Sequence, residues 1–223
     1  MPTKNSVKTY VVNGVYHIYN RGVEKRKIFL DDRDYDTFLY YLRSYLLPLD
    51  KQAKPPLGIK RLNNFTLCNE INLIAYVLMP THFHLMIKQK PEKAITEFMK
   101  RLSNGYVEYF NKRYERVGAL FQGRYKAVLI NDDDYFLHLT RYLHLNPLEL
   151  FSKEEQVFTT LRNYQYSSYP DYIGARPSSW LKKDTIMKYF QDTQDKLGFS
   201  TYQEFVEQYA IECREVLGNC TID

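Results

Sequence analysis

Hydrophobic and polar positions change period several times along the chain, and each change marks a predicted element. Val15-Tyr16-His17-Ile18-Tyr19 has the composition of a strand, closed by Asn20-Arg21-Gly22. Asp31 and Asp32 offer caps to a helix whose apolar face, Tyr35, Phe38, Leu39, Leu42 and Leu46, recurs at threes and fours until Pro48 ends it. Leu49 to Asn64, with Lys51, Lys54, Pro55, Pro56, Gly58, Lys60 and Arg61, predicts an exposed, basic, irregular loop. Ile71 to Leu78 is almost unbroken in its apolarity, the pattern of a central strand buried on both faces. After Pro80 the period falls to two: His82, His84 and Met86 on one side, Phe83, Leu85 and Ile87 on the other. A long helix follows from Glu92 to about Glu115, with Ile95, Phe98, Met99, Leu102, Tyr106, Tyr109 and Phe110 as its stripe. Tyr125 to Ile130 predicts a fourth strand, and Asp132 and Asp133 cap a last helix that Pro147 stops near Asn146.

The first six elements, strand-helix-strand-strand-helix-strand, give an α+β fold: a ferredoxin-like (split βαβ) antiparallel sheet with helices on one face. This predicts a first domain over 1–150 and a helical C-terminal extension over 151–223. Pro170, Gly174 and Pro177 interrupt that extension, and helices are expected over Trp180 to Gln191 and Thr201 to Leu217.

Composition narrows the function only a little. A chain of 223 residues, 44% hydrophobic and 26% charged, is a globular protein, and its net charge of +5 does not by itself demand a polyanionic partner. The three cysteines, Cys68, Cys213 and Cys220, are odd in number and unpaired in spacing, so free thiols in a reducing compartment are expected. The start, Met1-Pro2-Thr3-Lys4-Asn5, is polar with no apolar run after it, and no stretch of about 18 apolar residues occurs anywhere. A cytoplasmic location without a membrane partner is therefore expected.

The candidate chemistry sits in two short segments. In Pro80-Thr81-His82-Phe83-His84, spacing two on a strand turns both imidazoles to the non-core face. A single strand histidine is more often structural than a ligand, but two there suit a divalent ion and leave coordination positions open. In Tyr142-Leu143-His144-Leu145-Asn146-Pro147, Tyr142 and Asn146 lie one helical turn apart, while Phe136, Leu139 and Leu143 make the core face. Among 21 tyrosines any one is ordinarily an amphipathic core edge, yet Asn146 would place an amide oxygen beside this phenol. A phenol of pKa about 10 is a poor nucleophile at neutral pH and needs a metal-polarised phosphate or a base. Between Lys100 and Lys126, Lys100, Arg101, Lys112, Arg113, Arg116, Arg124 and Lys126 face only Glu108 and Glu115, with aromatics interleaved as in a single-strand groove. A helix with one wet cationic side and one buried aromatic side explains the same pattern. His17, His138 and His144 are expected to be structural.

Four segments in order and register carry a resemblance. They are Tyr16-His17-Ile18-Tyr19-Asn20-Arg21-Gly22, Tyr76-Val77-Leu78-Met79-Pro80-Thr81-His82-Phe83-His84-Leu85, Gly118-Ala119-Leu120-Phe121-Gln122-Gly123-Arg124-Tyr125 and Arg141-Tyr142-Leu143-His144-Leu145-Asn146-Pro147. Over roughly residues 8–150 the chain resembles the REP-associated tyrosine transposases, single-tyrosine HUH transposases with an IS200-like domain. The resemblance implies cleavage and rejoining of single-stranded DNA, often at a palindromic hairpin. It implies His82, His84 and Asn146 as ligands of Mg²⁺ or Mn²⁺, and Tyr142 as the nucleophile forming a 5′-phosphotyrosine. Arg21, Arg101, Arg113, Gln122, Arg124 and Lys126 are the expected DNA contacts, and a monomer or a homodimer is expected. The competing expectation is a domesticated single-stranded nucleic-acid binder without turnover.

Overall fold

A computed structural model describes residues 9–56, 58–59, 65–150 and 157–217. Its sheet holds four strands, β1 (Val15–Arg21), β2 (Ile71–Met79), β3 (His82–Gln89) and β4 (Lys126–Ile130), in the order β2-β3-β1-β4. β1 lies at the centre, antiparallel to both β3 and β4. With α1 (Asp32–Leu46) after β1 and α2 (Ala94–Arg113) after β3, this is the ferredoxin-like α+β arrangement that the element order predicts.

The alternation in β3 decides which face the helices cover. Phe83, Leu85 and Ile87 are fully buried, and Phe83 meets Phe38 of α1 with ring centroids 5.2 Å apart. Phe38 in turn contacts Tyr106 of α2 edge-on at 5.0 Å. Each such side chain, fully removed from water, contributes about 1.5–3 kcal/mol to folding. A buried carboxylate ties the two helices at the start of α1. Asp34, wholly inaccessible, accepts hydrogen bonds from the Leu30 amide at 2.8 Å, the Tyr109 and Tyr114 hydroxyls at 2.7 and 2.8 Å, and Arg113 Nη1 at 2.7 Å.

β2 corrects the sequence-based expectation. Its apolar run predicts a central strand, but β2 stands at the edge of the sheet. Burial of its middle comes instead from the chain around Ser167–Tyr172, whose Val77–Ser167 bridge covers the outer edge. Ser168 closes both backbone groups of Tyr76: its hydroxyl accepts from the Tyr76 amide at 2.9 Å, and its own amide donates to the Tyr76 carbonyl at 2.9 Å. The Tyr172 hydroxyl donates to the Ile74 carbonyl at 2.9 Å. An exposed edge of unpaired backbone groups is thereby closed.

Among the described residues the chain divides into two compact units, with Ile74–Val77 and everything from Asn131 onward in the second. The second unit holds α3 (Asp133–Leu145), followed by a 3₁₀ turn over Asn146–Leu150, then α4 (Val157–Asn163), α5 (Tyr169–Tyr172), α6 (Asp184–Leu197) and α7 (Tyr202–Leu217). α6 begins four residues later than predicted, because Trp180 and Leu181 are themselves core residues ahead of its first turn. It stops at Gly198, whose left-handed φ of 75° lets its amide reach the Gln194 carbonyl. α7 starts on a reciprocal cap: the Glu204 amide donates to Thr201 Oγ1 at 3.0 Å and the Ser200 amide to Glu204 Oε2 at 2.9 Å. Of the basic loop expected over Leu49 to Asn64, Leu49–Lys51 forms a 3₁₀ turn, while Leu57 and residues 60–64, including Lys60 and Arg61, lie outside the described residues.

Candidate active site

The two-residue turn Pro80-Thr81 joins β2 to β3 and is fastened to the chain after β1. The Pro80 carbonyl accepts from the Ile28 and Phe29 amides, at 2.7 and 3.2 Å, and the Thr81 carbonyl from the Gly22 amide at 2.8 Å. Gly22 has no room for a side chain there: a Cβ would lie 2.2 Å from the Arg26 carbonyl oxygen. The turn is thus held rigidly just before the first histidine.

β3 then delivers His82 and His84 to the face away from α1 and α2. Direct cross-strand partners share a face, and Arg21 stands opposite His82, Tyr19 opposite His84 and His17 opposite Met86. On the other side of β1, Lys126 is paired with Tyr19 and Val128 with His17. The imidazoles of His82 and His84 lie 5.0 Å apart between centroids and nearly perpendicular. Each has its Nδ1 engaged: His82 with Thr81 Oγ1 at 2.9 Å, His84 with Nε2 of His17 at 2.8 Å. Burial pulls the His17 pKa down to about 4. It drives that of His84 well below the usual range, helped by His17, His82 and Arg21 nearby. Both rings are therefore neutral at pH 7, the state in which an imidazole binds a metal.

This donor set fits a divalent ion that keeps most of its coordination for oxygen. Nδ1 of each histidine is engaged within the protein, so Nε2 is the atom through which each could ligate a metal. Among the described residues no group of three or more His, Cys, Asp and Glu has metal-site geometry. Two imidazoles could hold such an ion only together with oxygen ligands from elsewhere.

The expected DNA contacts do not form one surface. Arg21 and Lys126 share the histidine face, and the Gln122 amide donates to the Arg21 carbonyl at 2.9 Å, with exposed Arg124 between Gln122 and Lys126. Arg101 and Arg113 belong to α2, which packs against the opposite face. Arg113 makes a two-pronged contact to Asp31, at 2.8 and 2.5 Å, and binds Asp34. Arg101 lies over the Phe65 ring at 3.8 Å and pairs with Glu97 at 2.5 Å. Of the expected DNA contacts, these two therefore stand on the helix side of the sheet rather than on the histidine face. Basic spacing along a helix does not reveal which side the sheet occupies.

Tyr142 and Asn146 belong to the second unit. The Asp132 carboxylate caps α3 by accepting from the Tyr135 amide at 2.6 Å, and Phe136, Leu139 and Leu143 are buried as the periodicity predicts. Tyr142 is half-buried, and Arg141 beside it stacks over Phe205 and Tyr209, at 4.4 and 3.9 Å. Asn146, 2% exposed, donates from Nδ2 to the Tyr142 carbonyl at 2.9 Å, which turns its Oδ1 the other way.

His144, between them, is structural as expected. Fully buried, it meets Ser168 Oγ through Nε2 and the Tyr202 hydroxyl through Nδ1, both at 2.9 Å. His144→Ala is expected to lose about 3 kcal/mol of stability, from the cavity and from polar groups left without this ring. Thermal unfolding measures it, and a change under about 0.5 kcal/mol would contradict this role. Acid should act similarly. Folding lowers the His17 and His144 pKa values from 6.5 to about 4 and about 3, so the unfolded chain binds more protons, and stability falls as pH drops below 6.5. At about pH 5 each site costs on the order of 2 kcal/mol. A melting temperature unchanged between about pH 7 and 5 would refute this.

His17 is the residue that sequence patterning undervalues. Its strand alternation gives it a face, but its partner lies 67 positions away and only the β1–β3 register brings them together.

Comparison with known proteins adds to this geometry. Residues 59–146 match the family model described as "Transposase IS200 like", a span that contains His82, His84, Tyr142 and Asn146. Against curated proteins the sequence finds no match. Among solved structures, a REP-associated tyrosine transposase bound to a REP hairpin is similar in fold, with a TM-score of 0.51 at 14% identity over 81% of this chain and 92% of that one. A Deinococcus radiodurans R1 protein assigned as a transposase matches at a TM-score of 0.37 and 16% identity, over 64% of this chain and 95% of that one.

Proposed function

From the match of residues 59–146 to the IS200-like transposase model, we propose that the chain is a metal-dependent endonuclease and strand transferase of single-stranded DNA, acting on hairpin-forming repeats. The observation that carries this proposal is the histidine pair on one strand face, each Nδ1 held from within the protein, in the same matched segment as Tyr142 and Asn146. The similar structure bound to a REP hairpin supports the substrate class.

His82, His84 and the amide oxygen of Asn146 would hold Mg²⁺ or Mn²⁺. Bound there, the ion supplies Lewis-acid polarisation of the scissile phosphate. The Tyr142 hydroxyl gives up its proton to solvent as its oxygen attacks phosphorus. A bond forms from that oxygen to the 5′-phosphate while the bond to the 3′-oxygen breaks, and the departing oxygen takes a proton to become a 3′-hydroxyl. The phosphotyrosine keeps the energy of the broken ester, so a second 3′-hydroxyl reverses the step and joins strands without a nucleotide cofactor. Arg21 and Lys126 neutralise phosphates on the histidine face, with Gln122 and Arg124 beside them.

A labelled single-stranded hairpin incubated with the protein should give a metal-dependent cleavage product and a covalent species on a denaturing gel. An RNA hairpin should give neither. Tight binding with no cleavage in Mn²⁺ would replace this reading with that of a binder. The division between the two faces is testable separately. Arg21→Ala and Lys126→Ala should each weaken binding and shallow its salt dependence by about 0.7–1 in log–log slope, whereas Arg101→Ala should leave the slope unchanged. Equal effects from all three variants would contradict the assignment of faces.

A further inference from the structure

We infer that His17 is the positioning residue that sets the tautomer of His84, keeping its proton on Nδ1 so that Nε2 carries the lone pair toward the ion. This rests on the metal role proposed above. The contact is the 2.8 Å hydrogen bond between His17 Nε2 and His84 Nδ1, in which both rings are at most 7% exposed and stand nearly parallel, 21° apart.

Two imidazoles joined nitrogen to nitrogen at 2.8 Å share one proton between those atoms. In one arrangement Nε2 of His17 donates, and His84 then carries its hydrogen on Nε2, where it blocks a metal. In the other, His84 Nδ1–H donates to the bare Nε2 of His17, and His84 Nε2 is a lone pair. Only the second is compatible with ligation.

In that arrangement His17 Nε2 is the acceptor, so it does not serve as a third ligand. The same contact also explains why the two ligands are held differently. Thr81 Oγ1, on His82, is a hydroxyl that accepts or donates by rotating. His17 is a ring clamped in a strand, with Tyr19 tilted against it at 5.0 Å, and cannot swing its Nε2 away from His84 without moving its neighbours. The orientation of His84 is therefore fixed by a residue two positions before Tyr19, its own cross-strand partner.

Two variants test this. His17→Phe keeps a ring of similar size but removes the acceptor, and His17→Gln offers an amide oxygen near the position of Nε2. In metal-free protein at pH 7, long-range ¹H–¹⁵N spectra should show His84 of the wild type protonated on Nδ1, as in the Gln variant, with that preference lost in the Phe variant. Mn²⁺ binding followed by electron paramagnetic resonance should weaken about 10–100-fold in His17→Phe and by only a few fold in His17→Gln. Wild-type His84 protonated on Nε2, or Mn²⁺ binding by His17→Phe equal to wild type, would overturn the inference. Should the wild type bind no Mn²⁺, the metal proposal fails, while the nitrogen spectra still decide whether His17 sets the tautomer.

Discussion

Tyr142→Phe is expected to abolish covalent capture of a single-stranded hairpin oligonucleotide while leaving the fold and noncovalent binding intact. The substitution removes one oxygen atom. Tyr142 is half-buried and Phe has a similar helix propensity, so α3 should persist. The bond from Asn146 goes to the backbone carbonyl of residue 142, not to the phenol, so the turn after α3 keeps its fastening. A variant that melts like the wild type and binds the hairpin within a few fold, yet forms adduct a thousandfold more slowly or worse, separates nucleophile from scaffold. Adduct formation at the wild-type rate would remove Tyr142 from the mechanism.

Loss of the first histidine should be nearly as severe. His82→Ala leaves one imidazole on β3, and a lone neutral ligand holds Mg²⁺ or Mn²⁺ poorly. Cleavage at low Mn²⁺ is expected to fall by about 10²–10⁴-fold and to recover in part at high Mn²⁺. Binding should barely change, because Arg21 and Lys126 rather than His82 meet the phosphates in this account. His82 is the better probe of the pair. His84 is 7% exposed and bonded to His17, so its removal opens a cavity and strands a buried nitrogen, mixing stability into the result. Wild-type cleavage by His82→Ala, or cleavage undiminished by chelation, would contradict the metal role.

What the sequence reveals here follows the range of each signal. Local periodicities carry far: the alternation in β3 separates His82 and His84 from Phe83 and Leu85, and the spacing in α3 places Phe136, Leu139 and Leu143 inside. Signals that depend on distant partners fail. An apolar run reports burial but not its cause, so β2 reads as a central strand when it is an edge covered by Ser167 and Ser168, some ninety residues later. Arg101 and Arg113 belong to the same basic run as Arg124 and Lys126, yet they sit on α2 against the opposite face. Asp31 and Asp34 hold Arg113 through α1, a pairing across about eighty positions. His17 looks like an ordinary strand histidine until the register brings it diagonally within hydrogen-bond reach of His84. The proposed positioning role of His17 rests on that contact.

The central claim is that the phenol of Tyr142 becomes joined to DNA. It is tested most directly by digesting the product of a Mn²⁺ reaction and locating the attached nucleotide by mass spectrometry. Trypsin should cut after Arg141, so the 5′-phosphate is expected on the peptide spanning residues 142–153, with an extendable 3′-hydroxyl on the released strand. Attachment to any other of the 21 tyrosines, or cleavage with no covalent product, would contradict it.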